Sequence, residues 1–197
     1  LFSSLNSNKK TDFSRYNYFH ASYAVSVGKI DEARNIVQSA LKLYPRNLLL
    51  NQYKDDLNEM KNINIFNCRL EKHVAAEILY ITANALSSQS IYPLSNFYLN
   101  LAKFLNEDFH SFETLLAENF YKTNNFKNAK KIYKNLSTKG EAFKWYSTKQ
   151  LARILIKEEK QQEAIKLTAN VYKNLINKEV YETFDFAEFL KNNEKFE

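Results

Sequence analysis

Small residues recur along this chain at a nearly constant spacing. One series has intervals of 62, 34, 35 and 35 residues and consists of Ala21, Ala83, Ala117, Ala152 and Ala187. A second series has intervals of 62, 34 and 35 residues and consists of Ala33, Ser95, Ala129 and Ala164. Such periods are typical of stacked helix pairs, in which small side chains let two helix backbones approach closely. The chain is therefore predicted to be an all-α solenoid of antiparallel helix pairs.

The composition agrees with helices that are joined by short polar turns. The 197 residues include only two Gly and two Pro, which are strong formers of β-turns. Hydrophobic residues make up 45% of the chain, which is enough for a core. No apolar run reaches the roughly 20 residues that span a bilayer, so no membrane insertion is expected in this segment. Cys68 is the single cysteine, which excludes an internal disulfide.

The two series divide the chain into parts, and the interval of 62 residues is neither one period nor two. The predicted parts are, in order, a frayed end or linker at 1–13, a first unit at 14–47, a lone helix and irregular link at 48–75, units at 76–109, 110–143 and 145–178, and a truncated unit from 180. We expect the superhelix to break near 61–70. Because the last unit lacks its second helix, we also expect the sequence to be a piece of a longer protein.

One unit, residues 18–47, carries a recognisable motif. Gly28 stands five residues before Ala33, Ala40 follows Ala33 by seven residues, and Pro45 closes the unit. In these features it resembles the tetratricopeptide repeat (TPR) family. The resemblance implies a right-handed superhelix in which the first helix of each pair lines a concave groove.

The resemblance covers 14–197 and is weaker outside the first unit. In the later units Gln89, Asn124 and Lys160 occupy the place of the turn glycine, and no proline closes the unit. The resemblance is to bacterial TPR proteins, whose arrays lie in the cytoplasm or the periplasm.

Candidate ligand-binding residues follow from the groove that the resemblance implies. Several tyrosines are offset from the alanine register towards the groove, where an aromatic ring with a hydroxyl group suits recognition. The helix after residue 144 adds basic side chains at i, i+4 and i+8. The predicted binding residues are Tyr80, Asn84, Tyr121, Tyr146, Lys149, Arg153 and Lys157.

The net charge of +6 is concentrated in one segment. Residues 120–160 hold 11 basic and three acidic residues, whereas the rest holds 17 and 19. Repulsion between like charges one helical turn apart costs a few tenths of a kcal/mol. Two interpretations of the basic stripe follow: an acidic ligand offsets the repulsion, or the stripe is a solvated face screened by Glu158, Glu159 and Glu163. The lysines of 127–134 belong to a second helix and are interpreted as a solvated convex face.

No constellation for catalysis or metal binding is expected. Cys68, His73 and Glu77 are the closest set of potential metal ligands. Zinc normally binds three or four protein ligands, and no second His or Cys lies near these three residues. Cys68 is instead interpreted as a half-buried thiol. The two glycines are 112 residues apart, so the chain has no glycine-rich phosphate loop and no cofactor is predicted.

The expected function is that of a non-catalytic protein–protein interaction scaffold. Its groove would bind a peptide or partner surface, with an acidic segment favoured by the neighbouring aromatic and basic residues. One alternative is RNA binding of the pentatricopeptide kind, which a basic excess confined to about one and a half repeats disfavours. Another is an accessory domain of an enzyme that lies outside these residues.

Overall fold

The computed structural model describes residues 14–60, 63 and 65–193, which form an all-α fold. The expected frayed end at 1–13 and residues 194–197 of the truncated last unit lie outside the described residues. No described residue belongs to a β-strand. The helices are α1 (Ser14–Ser26), α2 (Ile30–Leu43), α3 (Leu48–Glu59), α4 (Glu71–Ser88), α5 (Tyr92–Leu105), α6 (Ser111–Lys122), α7 (Phe126–Leu136), α8 (Glu141–Lys157), α9 (Gln161–Lys173) and α10 (Val180–Asn193).

The small residues lie where helices of a pair meet. Eight of the nine are fully buried: Ala21, Ala33, Ala83, Ser95, Ala117, Ala129, Ala152 and Ala164. In the α4–α5 pair the Ser95 hydroxyl donates a hydrogen bond of 2.8 Å to the carbonyl oxygen of Ala83, so the two series touch. Ala187 on α10 is exposed, and no described helix follows α10. The fold is thus a helical repeat, as the spacing predicts.

The chain divides into two compact units, the first up to Leu116 and the second from Ala117 onward. The boundary lies within α6. In the first unit α1, α2 and α3 pack together, and α4 packs on α5. In the second unit α8 packs on α7 and on α9, and α9 packs on α10.

Four turns between paired helices share one backbone geometry. Each contains a residue with positive φ five positions before the small residue of the second helix: Gly28, Ser90, Asn124 and Glu159. In each turn the next residue donates its N–H to the carbonyl five positions earlier, for example Lys160 to Leu155 at 2.9 Å. This is the Schellman motif that closes many helices. Asn124 occupies the place of the turn glycine, as predicted. In the other two later turns the residue with positive φ is Ser90 or Glu159, one position away from the predicted Gln89 and Lys160.

Glycine at the left-handed position of the last turn is expected to stabilise the protein. Glu159 has φ of 61°, a region that costs side chains with a Cβ about 1 kcal/mol relative to glycine. Glu159→Gly should therefore raise the free energy of unfolding by about 0.5–1 kcal/mol in urea titrations followed by circular dichroism. Glu158→Gly is the matched control, because Glu158 has φ of −90° and binds Lys130 at 2.7 Å. A loss of stability in Glu159→Gly equal to that of the control would contradict this account.

The described residues that interrupt the period pack on the first helix pair. The lone helix α3 is capped at its start by Asn47, whose side chain accepts a hydrogen bond of 3.0 Å from the Leu50 N–H. In the link before α4, the Phe66 N–H donates to the Ser22 hydroxyl at 2.7 Å, and the Phe66 ring lies 4.3 Å from that of Phe19. The extra helix α3 therefore packs on α1 and α2, and Phe66 of the link packs on α1, so both extend the core of the first unit.

Candidate functional site

Tyr80 lies beneath the partly buried guanidinium group of Arg15 in the first unit. The Arg15 Cζ is 4.0 Å from the centre of the Tyr80 ring and 4.7 Å from that of Phe109. Arg15 also donates two hydrogen bonds, of 2.6 and 2.7 Å, to the two carboxylate oxygens of Glu77. Burial alone would lower the pKa of Arg15, but the contact with Glu77 outweighs it and the pKa is raised. Tyr80 thus has a packing role that the sequence did not reveal.

The accessible face of α4 is apolar. Val74, Ile78 and Ile81 lie on the side opposite Ala76 and Ala83, and all three are exposed. The predicted residue Asn84 is also exposed. Sequence reasoning missed this surface, although α4 shows a signal for it: apolar residues occur on nearly every side of the helix, more than one buried face requires.

In the second unit, Lys149 on α8 is already paired. Its Nζ lies 2.5 Å from Oδ2 of Asp185 on α10, whose side chain is largely buried. The same ammonium group is 6.0 Å from the centre of the Trp145 ring. Lys149 therefore joins α8 to α10.

Arg153, one turn later on α8, lies against α6. Its Cζ is 4.5 Å from the centre of the Tyr121 ring, within the range of a cation–π contact. Its Nη1 is 3.8 Å from Oε2 of Glu118 and donates a hydrogen bond of 2.5 Å to Oε1 of Gln150. The side chain of Arg153 remains 48% exposed, so the guanidinium group stays accessible to a ligand.

The other two predicted residues of this unit differ in environment. Tyr146 is half-buried and makes an edge-to-face contact with Tyr133, with 6.1 Å between ring centres. Tyr133 is fully buried, and its hydroxyl lies 3.4 Å from Oε2 of Glu118. Burial, and then the neighbouring Tyr146 and Glu118, raise the pKa of Tyr133, so this phenol stays neutral. Lys157 is exposed.

Internal carboxylates offset most of the repulsion within the basic stripe. Asp185 on α10 pairs with Lys149, and Glu118 on α6 pairs with Arg153. Of the three acids proposed to screen the stripe, Glu158 binds Lys130, Glu159 forms the turn, and Glu163 is exposed. An acidic ligand is therefore not needed to explain the stripe, although Arg153 and Lys157 remain accessible to one.

The potential metal ligands Cys68, His73 and Glu77 do not converge. Cys68 is exposed, which corrects the expectation of a half-buried thiol. The Nδ1 of His73 accepts a hydrogen bond of 3.3 Å from the Asn67 N–H, and Glu77 is bound to Arg15. Burial, and then the charge of Lys72, lower the pKa of His73. Within the described residues, no group of three or more His, Cys, Asp or Glu could hold a metal ion.

Two carboxyl groups of the first unit have perturbed pKa values, and each has a local cause. Burial raises the pKa of Asp56 to about 6 despite a hydrogen bond of 2.8 Å from Gln52. Burial would also raise the pKa of Glu113, but hydrogen bonds from His110 and Lys103 lower it to about 2. The Lys103 ammonium is 2.6 Å from Glu113 and joins α5 to α6. Perturbed carboxyls mark many active sites, but burial explains the shift of Asp56, and the contacts with His110 and Lys103 explain that of Glu113.

None of the helices described here is both long enough and apolar enough to cross a membrane. The sequence matches no protein-family model and no curated protein.

Proposed function

We propose that this protein is a non-catalytic scaffold of TPR-like repeats that binds a linear segment of a partner protein on the exposed faces of first helices. The helical repeat, its period of 34 to 35 residues and the motif in residues 18–47 support this reading. Repeats of this kind bind through extended surfaces built from many units.

The observation that carries the proposal is the exposed apolar stripe of α4. Val74, Ile78 and Ile81 recur at i, i+4 and i+7, the spacing of anchors on one helix face. Large apolar side chains that share one exposed face mark interaction sites more often than scattered ones do. A partner segment with two or three aliphatic or aromatic side chains would bury this stripe.

In the second unit, the accessible basic side chains of Arg153 and Lys157 would select for acidic partner segments. A carboxylate of the partner would have to compete with Glu118 for Arg153, whereas Lys157 is exposed. Accessible charged pairs contribute little to affinity and more to the choice of partner. We therefore expect apolar anchors to dominate affinity at the α4 stripe, and the binding of acidic segments at Arg153 and Lys157 to be weaker and dependent on salt.

A displayed library of short random peptides, selected on the wild-type protein, tests the proposal. Fluorescence anisotropy of the selected peptides should show that Ile78→Ser/Ile81→Ser weakens binding by about tenfold or more, because two central apolar contacts are lost. Lys131→Gln/Lys134→Gln is the matched control: both lysines are exposed on the second helix α7, and the control should bind as the wild type does. Acidic peptides that bind the second unit should be weakened by Arg153→Gln/Lys157→Gln and not by the α4 variant, and the substitution should reduce their salt dependence.

Two outcomes would overturn the proposal. One is unchanged affinity in the α4 variant. The other is a failure of the library to yield binders while a single-stranded RNA binds with steep salt dependence, which would favour the RNA-binding alternative.

A further inference from the structure

The helix α5 exposes a second apolar stripe, on the side away from α4. Leu94, Phe97, Leu101 and Phe104 are spaced by three, four and three residues and are 44%, 55%, 38% and 77% exposed. The opposite side of α5 is buried through Ser95, Leu99 and Ala102. Alternating steps of three and four residues form the seam along which one helix packs on another.

The stripe is comparable to the largest apolar patch on a monomer, and such patches often have a function. At these exposures the four side chains present on the order of 400 Å² of apolar surface, within the range of the largest patch on a typical monomer. Two such faces brought together would contribute on the order of 800 Å², and the flanking atoms would bring the total near the lower limit of a specific interface.

The charge pattern indicates which partner fits. No residue from Ser90 to Ala102 is charged, and Lys103, the one charged residue of α5, is bound to Glu113. Two copies of this chain that meet through this face therefore bring no like charges together, although each copy carries a net charge of +6. A membrane surface fits less well, because helices that lie on membranes carry Lys and Arg beside the apolar face.

We propose that α5 packs against α5 of a second copy of this chain, around a two-fold axis that buries Leu94, Phe97, Leu101 and Phe104. In such a two-fold contact both copies use the same surface, so no binding surface is left for a third copy. The product is therefore a dimer and not a polymer. This contact lies on a different helix from the proposed peptide-binding stripe, so either proposal can fail alone.

Sedimentation velocity of the full chain tests this. The wild type should sediment at twice the chain mass of 23.2 kDa at micromolar concentration. Phe97→Ser/Phe104→Ser should raise the dimer dissociation constant by about 100-fold or more, because aromatic side chains at an interface centre carry much of its affinity. Both rings are more than half exposed, so the helical circular dichroism should be unchanged. The matched control Ile78→Ser/Ile81→Ser, which removes similar apolar surface from α4, should stay dimeric.

Disulfide trapping gives an independent readout. In a Cys68→Ser background, single cysteines at positions 94, 97, 101 and 104 are oxidised in turn, and at least one should yield a covalent dimer, whereas Ile78→Cys should not. A wild type that stays monomeric at high micromolar concentration would overturn the proposal. So would a dimer that persists in Phe97→Ser/Phe104→Ser, or an assembly that only the α4 variant disrupts.

Discussion

Replacing Arg15 by methionine is expected to lower the free energy of unfolding by about 3 kcal/mol, because it leaves the Glu77 carboxylate largely buried without its partner. The side chains of Arg15 and Glu77 are only 22% and 11% exposed, and two hydrogen bonds join them. The same substitution removes the contact of the guanidinium with the Tyr80 and Phe109 rings. Urea titration should show the loss, and hydrogen exchange should show it in α1 and α4.

A double variant separates the loss of the pair from the isolation of one charge. Arg15→Met/Glu77→Met should recover most of the stability, because apolar side chains often replace a buried ion pair at little cost. Arg15→Lys should lie between the wild type and Arg15→Met, since lysine keeps the charge but cannot donate in the same forked geometry. A single variant as stable as the wild type, or a double variant less stable than Arg15→Met, would refute this account of the pair.

Trp145→Ala is expected to cost about 4 kcal/mol in the second unit, because a large side chain leaves a cavity that the helices cannot fill. Trp145 is 2% exposed, and its ring lies 5.9 Å from that of Tyr172, which links α8 to α9. Since Trp145 is the only tryptophan, circular dichroism and not intrinsic tryptophan fluorescence should follow the unfolding.

Two controls show whether volume at this position is the cause. Trp145→Phe should lose less than half as much stability, because most of the ring volume remains. Tyr146→Ala, at the neighbouring half-buried position, should also cost less than Trp145→Ala. Equal losses in Trp145→Ala and Tyr146→Ala would show that Trp145 is not the main packing residue of this helix.

The fold was predictable because its signal is periodic. Small residues such as Ala83 and Ser95 must recur where helices of a pair touch, and that spacing is visible without coordinates. The turn register was less predictable, because the left-handed residues Ser90 and Glu159 are not glycines and carry no compositional mark.

The candidate site was harder to predict because its determinants are distant in sequence. The partners of Lys149 and Arg153 are Asp185 and Glu118, each more than 30 residues away, whereas local rules relate only residues within about one turn. The exposed stripes of α4 and α5 pose a related difficulty. A helix that is apolar on several sides does not show in its sequence which side the rest of the chain covers.

Because the turns share one geometry, the number of repeats in this protein can change without a change in its fold. Gly28, Ser90, Asn124 and Glu159 end their helices with the same hydrogen bonds, so a segment cut between two of these turns begins and ends in one backbone conformation. Residues 125–159 are one such segment. Duplicating or deleting it joins a turn to an equivalent turn and requires no new loop. Such a chain can gain or lose recognition surface in whole units, while each joint keeps the geometry it already has.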